Sequence, residues 1–192
     1  KILMGEESPD EGKLRLGPTV KIGYLPQIIH FDHPERSLVD TMIYDLDCTA
    51  QTARNRLAAF QFKGEDVFKP VSALSGGEQS RLRLCMLMDD EINFLILDEP
   101  TAVLTPQEVE DLFRVMRQLK AAGKSIIIIT HKLKETMEIA DRVSVLRQGK
   151  MIESGVPVAG TTMNELAQMM VGRDVELSVT RRAEQVGEEN FS

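Results

Sequence analysis

The chain has 192 residues, a net charge of −7 and a hydrophobic fraction of 42%, which is enough for one domain with a packed core. The acidic balance argues against general affinity for nucleic acid, and we expect no direct DNA binding. Two cysteines, Cys48 and Cys85, suggest a reducing compartment, and no apolar run approaches the roughly 20 residues that span a bilayer. The expected location is therefore cytoplasmic.

Short strands and a helical arm are predicted in the first third of the chain. Residues 13–16 and 19–25 alternate apolar and polar side chains around a Gly-Pro turn, which predicts an antiparallel pair at the edge of a sheet. The second strand ends just before Gln27. From Ser37 to about Phe68, apolar side chains recur at helical spacing, so this region is predicted to be mainly helical.

The next predicted helix begins in the sequence Leu-Ser-Gly-Gly-Glu-Gln, residues 74–79. Ser75 can cap the helix, and Gly76 and Gly77 carry no side chain, so an anion can approach the first free backbone N–H groups. A phosphate-contacting helix start is one interpretation, and an ordinary Ser-Gly-Gly loop is the other. The helix is expected over 78–88. Its buried stripe is predicted to consist of Leu82, Cys85 and Met86.

An uninterrupted apolar run, Phe94 to Leu97, predicts a strand that is buried on both faces of a parallel sheet. Asp98 and Glu99 follow it directly. Because ligands of open α/β sheets bind beyond the carboxyl ends of the strands, two acids at this position indicate a site. One carboxylate can hold Mg²⁺ on a nucleotide while the other orients the attacking water. The alternative is a solvated strand edge or a helix cap.

A crossover helix and a further strand are predicted next. Thr105 is the expected N-cap and Glu108 completes a capping box, and the helix ends near Gly123. Ser125 to Thr130 predicts a second fully buried strand, which ends at His131. A right-handed crossover would put this histidine on the same sheet edge as the acids, where it can hydrogen-bond a phosphate. Taken alone, a histidine after a strand is more often a cap or a surface residue.

The last predicted elements are a helix, a hairpin and a final helix. The first helix covers 132–140, and the hairpin covers 142–152 with its turn at Gln148-Gly149. The final helix, 162–171, begins with a Thr-x-x-Glu capping box. From Asp174 onward the sequence is charged and aperiodic, which is typical of a mobile tail.

These motifs together resemble the ATP-binding-cassette (ABC) ATPases. Residues 74–79 resemble the signature motif, and residues 94–99 resemble the Walker B strand with its catalytic glutamate. The resemblance implies ATP and Mg²⁺ as cofactors. It also implies an α/β fold of the P-loop NTPase (ABC ATPase) type, with a mostly parallel core sheet, a helical signature subdomain and an antiparallel edge.

The resemblance also implies roles for single residues. Glu99 would act on the attacking water, His131 would be the switch histidine that contacts the γ-phosphate, and Asp98 would be a metal ligand. Gln27 matches the start of the Q-loop, which contacts Mg²⁺ and the attacking water. The nucleotide-contacting residues of the signature motif would be Ser75, Gly76, Gly77, Glu78 and Gln79.

The expected domain organisation follows from the same resemblance. Residues 1–173 would form a partial ABC ATPase domain that contains a helical signature subdomain at 37–90, and residues 174–192 would form the tail. No Gly-x-x-x-x-Gly-Lys-Ser/Thr sequence occurs in the chain, although nucleotide binding in this superfamily relies on that phosphate loop. The chain is therefore expected to be truncated and to bind ATP weakly, without turnover on its own.

Two branches of the superfamily are represented. Residues 1–100 resemble the ABC-F family of translation-associated ATPases, for example in the sequence of residues 64–71. Residues 97–180 resemble ATPases of simple-sugar and nucleoside importers. Residues 101–105 read Thr-Ala-Val-Leu-Thr, where an ABC-F protein would read Thr-Asn-His-Leu-Asp. The interpretation is a chimera that is joined at the shared Leu-Asp-Glu-Pro-Thr sequence.

Three functions compete at this point. The leading hypothesis is the ATP-hydrolysing subunit of a sugar or nucleoside importer, which would pair head-to-tail with a second nucleotide-binding domain. It would bind a membrane permease subunit and so lie at the inner face of the membrane. The alternative is an ABC-F-like factor that acts on the ribosome. The third hypothesis is an inert fragment whose motifs no longer work.

Overall fold

The computed structural model describes residues 1–88 and 91–172, so the predicted tail at 174–192 lies outside the described part. The chain divides into two compact units, Lys1–His131 and Lys132–Ser192. Among the helices of the described residues, none combines the length and the apolar character that a bilayer-spanning segment requires.

A three-stranded parallel sheet forms the centre of the first unit. Its strands are β1 (Ile22–Leu25), β2 (Phe94–Asp98) and β3 (Ser125–Ile129), with β2 between the other two. The strand register brings the carboxyl ends of all three strands to one edge of the sheet. Three leucines of β1 and β2 are fully buried, and each stabilises the fold by about 2 kcal/mol through the apolar area removed from water. They are Leu25, Leu95 and Leu97.

Four α-helices accompany this sheet among the described residues of the first unit. They are α1 (Leu38–Leu46), α2 (Ala50–Ala59), α3 (Gly76–Leu87) and α4 (Pro106–Ala121). Each begins at a serine or threonine whose side chain accepts a hydrogen bond from a backbone N–H of the first turn. The predicted stripe of α3 is buried as expected. Short 3₁₀ turns occur at Ile2–Met4, Gly64–Phe68 and Val71–Ala73.

The second unit contains a hairpin and two helices. Its elements are α5 (Leu133–Ile139), β4 (Arg142–Arg147), β5 (Lys150–Pro157) and α6 (Met163–Val171). The strands β4 and β5 are antiparallel, and the turn between them has positive φ at both Gln148 (50°) and Gly149 (74°). This conformation is typical of a type I′ turn. The predicted hairpin is confirmed, and so is the capping box of α6.

Two predictions about strands were wrong. Residues 13–16 form no strand, and β1 pairs in parallel with β2 instead of pairing with them. Leu14 and Leu16 stay exposed, so their alternation does not reflect a buried sheet face. The strand β3 is not fully buried, because it has one neighbour in the described sheet, and Ile127 and Ile129 are 40% and 50% exposed.

Candidate active site at the strand tips

The predicted catalytic residues follow the carboxyl ends of neighbouring strands. Asp98 is the last residue of β2 and Glu99 comes directly after it, while His131 follows two residues beyond the end of β3. Gln27 occupies the same relative position after β1 and is exposed. The structure therefore brings the four predicted residues to one edge of the sheet, which is where parallel α/β sheets bind ligands.

A hydrogen bond joins the histidine to the glutamate. Nδ1 of His131 lies 2.8 Å from Oε1 of Glu99. Because an ionised carboxylate only accepts hydrogen bonds, the proton of this contact resides on Nδ1. The side chain of His131 is 72% exposed, and its second nitrogen, Nε2, is the one that remains for a ligand.

The backbone of Glu99 adopts a left-handed conformation with φ of 44°. A non-glycine residue in this region carries about 1–3 kcal/mol of strain, and such strain concentrates at functional sites. Two hydrogen bonds hold the conformation, from the Glu99 N–H to the Ile129 carbonyl (2.9 Å) and from the Ala102 N–H to the Glu99 carbonyl (3.0 Å). The turn after β2 is thus tied to β3, the strand that carries the histidine.

The second carboxylate oxygen of Glu99, Oε2, is buried and accepts no hydrogen bond from the described residues. A buried oxygen of this kind is costly unless another group satisfies it. A water molecule is a suitable donor, and a carboxylate of this kind can orient a water that attacks a phosphoryl group. The oxygen ligands of this edge also fit Mg²⁺, which proteins bind through one or two carboxylates together with nucleotide phosphates.

A tyrosine that the sequence reasoning missed contacts the other acid. The hydroxyl of Tyr24 donates to Oδ2 of Asp98 at 3.3 Å. Desolvation raises the pKa of Tyr24, and the charge of Asp98 and this hydrogen bond raise it further, so the phenol keeps its proton. In the register of the sheet Tyr24 lies opposite Ile96, which puts it on the same face as Asp98. Side chains of β1 alternate between the two faces of the sheet, with Gly23 and Leu25 buried. This alternation was the sequence signal that Tyr24 lies on the opposite face.

The start of α3 forms a second cluster, which contains the predicted signature residues. Ser75 caps the helix by accepting from the Glu78 N–H at 3.2 Å, and Glu78 Oε2 accepts from the Ser75 N–H at 2.9 Å. The side-chain amide of Gln79 donates to the Leu74 carbonyl at 3.2 Å. The side chains of Glu78 and Gln79 therefore stabilise the helix start itself.

The two glycines of this cluster are in close contact with the segment that follows the acids. A Cβ on Gly77 would lie 2.7–2.8 Å from three carbons of the Glu108 side chain, and a Cβ on Gly76 would lie 3.3 Å from Val103 Cγ2. Gly77 therefore has to be a glycine for α3 and α4 to approach as they do.

Glu108 itself caps its own helix and lies against Gly77 of α3. Its Oε2 accepts from the backbone N–H and the hydroxyl of Thr105, both at 2.9 Å. Its pKa is lowered, first by a hydrogen bond from the Ser75 hydroxyl, then by the Thr105 N–H, and further by the Gly77 N–H. Sequence reasoning assigned Glu108 to a capping box alone, because the contact with α3 depends on tertiary packing.

Comparison with known proteins gives a family match and similar proteins. Residues 1–102 match the family described as ABC transporter. The nucleoside import ATP-binding protein NupA of Lactococcus lactis subsp. cremoris (strain MG1363) is 45% identical over 112 residues, which are 58% of this chain and 22% of NupA. The ribose import ATP-binding protein RbsA of Burkholderia mallei (strain ATCC 23344) is 33% identical over 200 residues, which cover 93% of this chain and 39% of RbsA.

The fold agrees as well. A solved structure of a metal-chelate type ABC transporter in an inward-facing conformation superimposes with a TM-score of 0.73, covering 88% of this chain and 70% of that chain at 17% identity.

The parallel sheet, with its acids and histidine at one edge, defines an α/β protein with the fold of a transporter ATPase. The chain belongs to the ABC transporter family, because the family match extends over more than half of its residues. It spans well under half the length of the two relatives, at 22% and 39%.

Proposed function

We propose that this chain is the ATP-binding and ATP-hydrolysing subunit of an importer of sugars or nucleosides. The observation that carries the proposal is the Glu99–His131 hydrogen bond beside Asp98, at the carboxyl ends of adjacent parallel strands, in a member of the ABC transporter family. The substrate class rests on the names of the relatives, which are nucleoside and ribose import proteins.

The residues divide the chemistry among them. Glu99 accepts a hydrogen bond from the attacking water through its unsatisfied Oε2, while His131 fixes the other oxygen and presents Nε2 to the γ-phosphate. Asp98, oriented by Tyr24, and Gln27 would hold Mg²⁺. The ion, when bound with ATP, supplies positive charge that neutralises the phosphates.

A second nucleotide-binding domain completes the site in this proposal. The 192 residues contain no Gly-x-x-x-x-Gly-Lys-Ser/Thr loop, so we expect the isolated polypeptide to bind ATP weakly. Ser75 and Gly77 begin a helix whose first N–H groups suit an anion. In a head-to-tail dimer they would contact the ATP that a partner domain holds in its own phosphate loop. A membrane permease would be the other partner, with the chain bound at the inner face of the membrane.

An ABC-F-like role on the ribosome is the alternative, together with the chimeric origin that residues 1–100 suggest. The alignment with RbsA supports the importer, since it covers 93% of the chain and therefore includes most of that region.

Fractionation of cells that express the tagged chain separates the two roles. We expect the chain to sediment with membranes and to leave them when the membranes are washed with detergent, because its partner would be a permease. Sucrose gradients of the same lysate measure how much of the tagged chain migrates with ribosomes, for comparison with the amount in the membrane fraction. Migration with ribosomes in low salt, and no recovery in the membrane fraction, would contradict the importer role.

The ATP site is tested by Glu99→Gln, which keeps the size of the side chain and removes its charge. For the isolated polypeptide we expect ATPase activity no higher than that of the Glu99→Gln variant, with millimolar binding of Mg-ATP by calorimetry. Turnover that Glu99→Gln abolishes would contradict the expected inactivity of the isolated chain and support the role of Glu99. Complete absence of nucleotide binding would favour an inert fragment.

A further inference from the structure

A glutamine occupies a backbone position that usually belongs to glycine. The helix α2 ends with two hydrogen bonds, from the Gln61 N–H to the Ala58 carbonyl (3.1 Å) and from the Phe62 N–H to the Leu57 carbonyl (2.9 Å). This pair forms a Schellman motif, in which the residue at the position of Gln61 is left-handed and most often glycine. Gln61 has a φ of 70°, so it accepts a steric strain that glycine would avoid.

The side chain of Gln61 connects two other helices. Its Oε1 accepts from Nη1 of Arg81 at 3.4 Å and from Nη1 of Arg114 at 3.2 Å. Arg81 lies on α3 and Arg114 lies on α4. Because a guanidinium only donates hydrogen bonds, the oxygen of the amide has to face the arginines, and its two lone pairs suffice for both. One uncharged oxygen at the end of α2 therefore joins α3 to α4.

Neighbouring groups hold the two arginines in place. The guanidinium of Arg81 lies over the ring of Phe62, 5.2 Å from its centroid, and Phe62 is buried. Arg114 also donates to Oδ1 of Asp111, a residue of its own helix, at 3.0 Å. The carboxylate of Asp111 balances one of the two positive charges that meet at Gln61. Both arginines are thus presented to Gln61 by contacts that do not involve its side chain.

The bridge through Gln61 is the second of two contacts between α3 and α4. The first is the contact of Gly77 with the Glu108 side chain. The two contacts are separated by four residues along α3, from 77 to 81, and by six residues along α4, from 108 to 114, which correspond to about 6 Å and about 9 Å of helix. A single contact leaves two helices free to rock about it, whereas two separated contacts fix the angle between them.

We propose that Gln61 is a positioning residue, whose amide oxygen fixes the angle between α3 and α4. A glycine at this position would end α2 with less strain, but it has no side chain that could accept from the arginines. The inference rests on the proposed function for its consequence. Because α3 begins at Ser75 and Gly77 and α4 follows the Asp98-Glu99 turn, the bridge links the residues that would contact the ATP of a partner domain to the catalytic turn.

The test compares three substitutions of Gln61 in the ¹⁵N-labelled 192-residue chain without nucleotide. Gln61→Gly removes the side chain and suits the left-handed backbone, Gln61→Ala removes the amide and keeps the strain, and Gln61→Glu keeps an acceptor of the same length. Gln51→Ala is the matched control, because Gln51 also lies on α2 and its amide donates within that helix, to Asn55 Oδ1 at 2.9 Å. Thermal unfolding checks that each variant is folded.

We expect Gln61→Gly and Gln61→Ala to change the side-chain N–H signals of Arg81 and Arg114 and to shift the backbone amide signal of Gly77. Hydrogen exchange of the α3 amides at 81–84 should become about fivefold faster, because a hydrogen bond that holds α3 is gone. In Gln61→Gly the amides at 60–62 should keep their protection, since glycine suits the end of α2. Gln61→Glu should restore the arginine signals and the slow exchange, and Gln51→Ala should change neither.

The outcomes separate this inference from the proposed function. Unchanged arginine signals and unchanged exchange of α3 in Gln61→Gly would overturn the bridge and reduce Gln61 to the end of a helix, and so would a failure of Gln61→Glu to restore them. Free rotation of the Arg81 guanidinium in the unmodified chain would overturn the bridge even if a variant unfolds. Failure of the proposed function would appear instead as an absence of Mg-ATP binding by calorimetry, which leaves the nucleotide-free spectra unaffected.

Discussion

Single residues at the end of β2 show how local strain and chemistry coincide. The sequence placed Asp98 and Glu99 after a buried strand, which was enough to indicate a site. It could not reveal the positive φ of Glu99, because that conformation depends on a hydrogen bond to Ile129, a residue of another strand. Tyr24 was missed for the same reason, since its contact with Asp98 exists only in the register of the assembled sheet.

Cys85 illustrates a residue whose burial controls its chemistry. It is fully buried, and desolvation raises the pKa of its thiol to about 12. The thiolate is the reactive form, so the folded chain keeps Cys85 protonated at neutral and mildly alkaline pH. We expect iodoacetamide at about pH 8 to modify Cys48, which is partly exposed, and to spare Cys85 until denaturant is added. Peptide mass spectrometry after timed quenching measures this difference.

Equal labelling of both cysteines in the folded chain would contradict the burial of Cys85. Cys48→Ser is the control variant, because it leaves a single thiol whose rate of modification then reports the opening of the α3 stripe. That rate should rise with denaturant in parallel with unfolding.

Helices were easier to predict than strand pairings, because their start signals are local. The capping boxes that begin with Ser75, Thr105 and Thr162 all form within four consecutive residues, so the sequence alone contains them. The pairing of residues 13–16 was predicted wrongly. Alternation of apolar and polar side chains indicates which side chains would share a face of a sheet, but it does not identify the strand with which a segment pairs. The exposure of the β3 side chains likewise depends on how many strands pair with β3. A run of four isoleucines does not reveal that number.

The packing of α3 on α4 makes a prediction at the level of helices. Gly77→Ala places a methyl group within 2.8 Å of the Glu108 side chain, including its Cβ, which is fixed to α4. We expect the variant to lose about 1–3 kcal/mol of unfolding free energy through overpacking. Urea denaturation followed by circular dichroism measures the loss.

Gly76→Ala is the matched control for this prediction. Its nearest neighbour is Cγ2 of Val103 at 3.3 Å, and the Val103 side chain is exposed and free to move. We expect a change within about 0.5 kcal/mol, as for ordinary surface substitutions. Equal stability of the two variants would show that the close approach of α3 and α4 is not what requires glycine at position 77.

At the level of the whole molecule, the fold class was expected from the resemblance to the ABC ATPases. The apolar run at residues 94–97 indicated a strand of a parallel sheet, and the structure and the related transporter share an α/β architecture. The division at His131 was not predicted, since no change of composition marks it. The edge of the sheet that collects Gln27, Asp98, Glu99 and His131 follows from the parallel pairing of the three strands.

The hydrogen bond between Tyr24 and Asp98 also gives the protein an intrinsic optical reporter. The chain has no tryptophan and two tyrosines, so its near-ultraviolet absorption and emission come mainly from Tyr24 and Tyr44. A phenol that donates to a carboxylate changes its spectrum when a cation draws that carboxylate away. If a divalent ion binds beside Asp98, as the proposed function requires, we expect its arrival to be visible in unlabelled protein, with Tyr44→Phe isolating the signal of Tyr24.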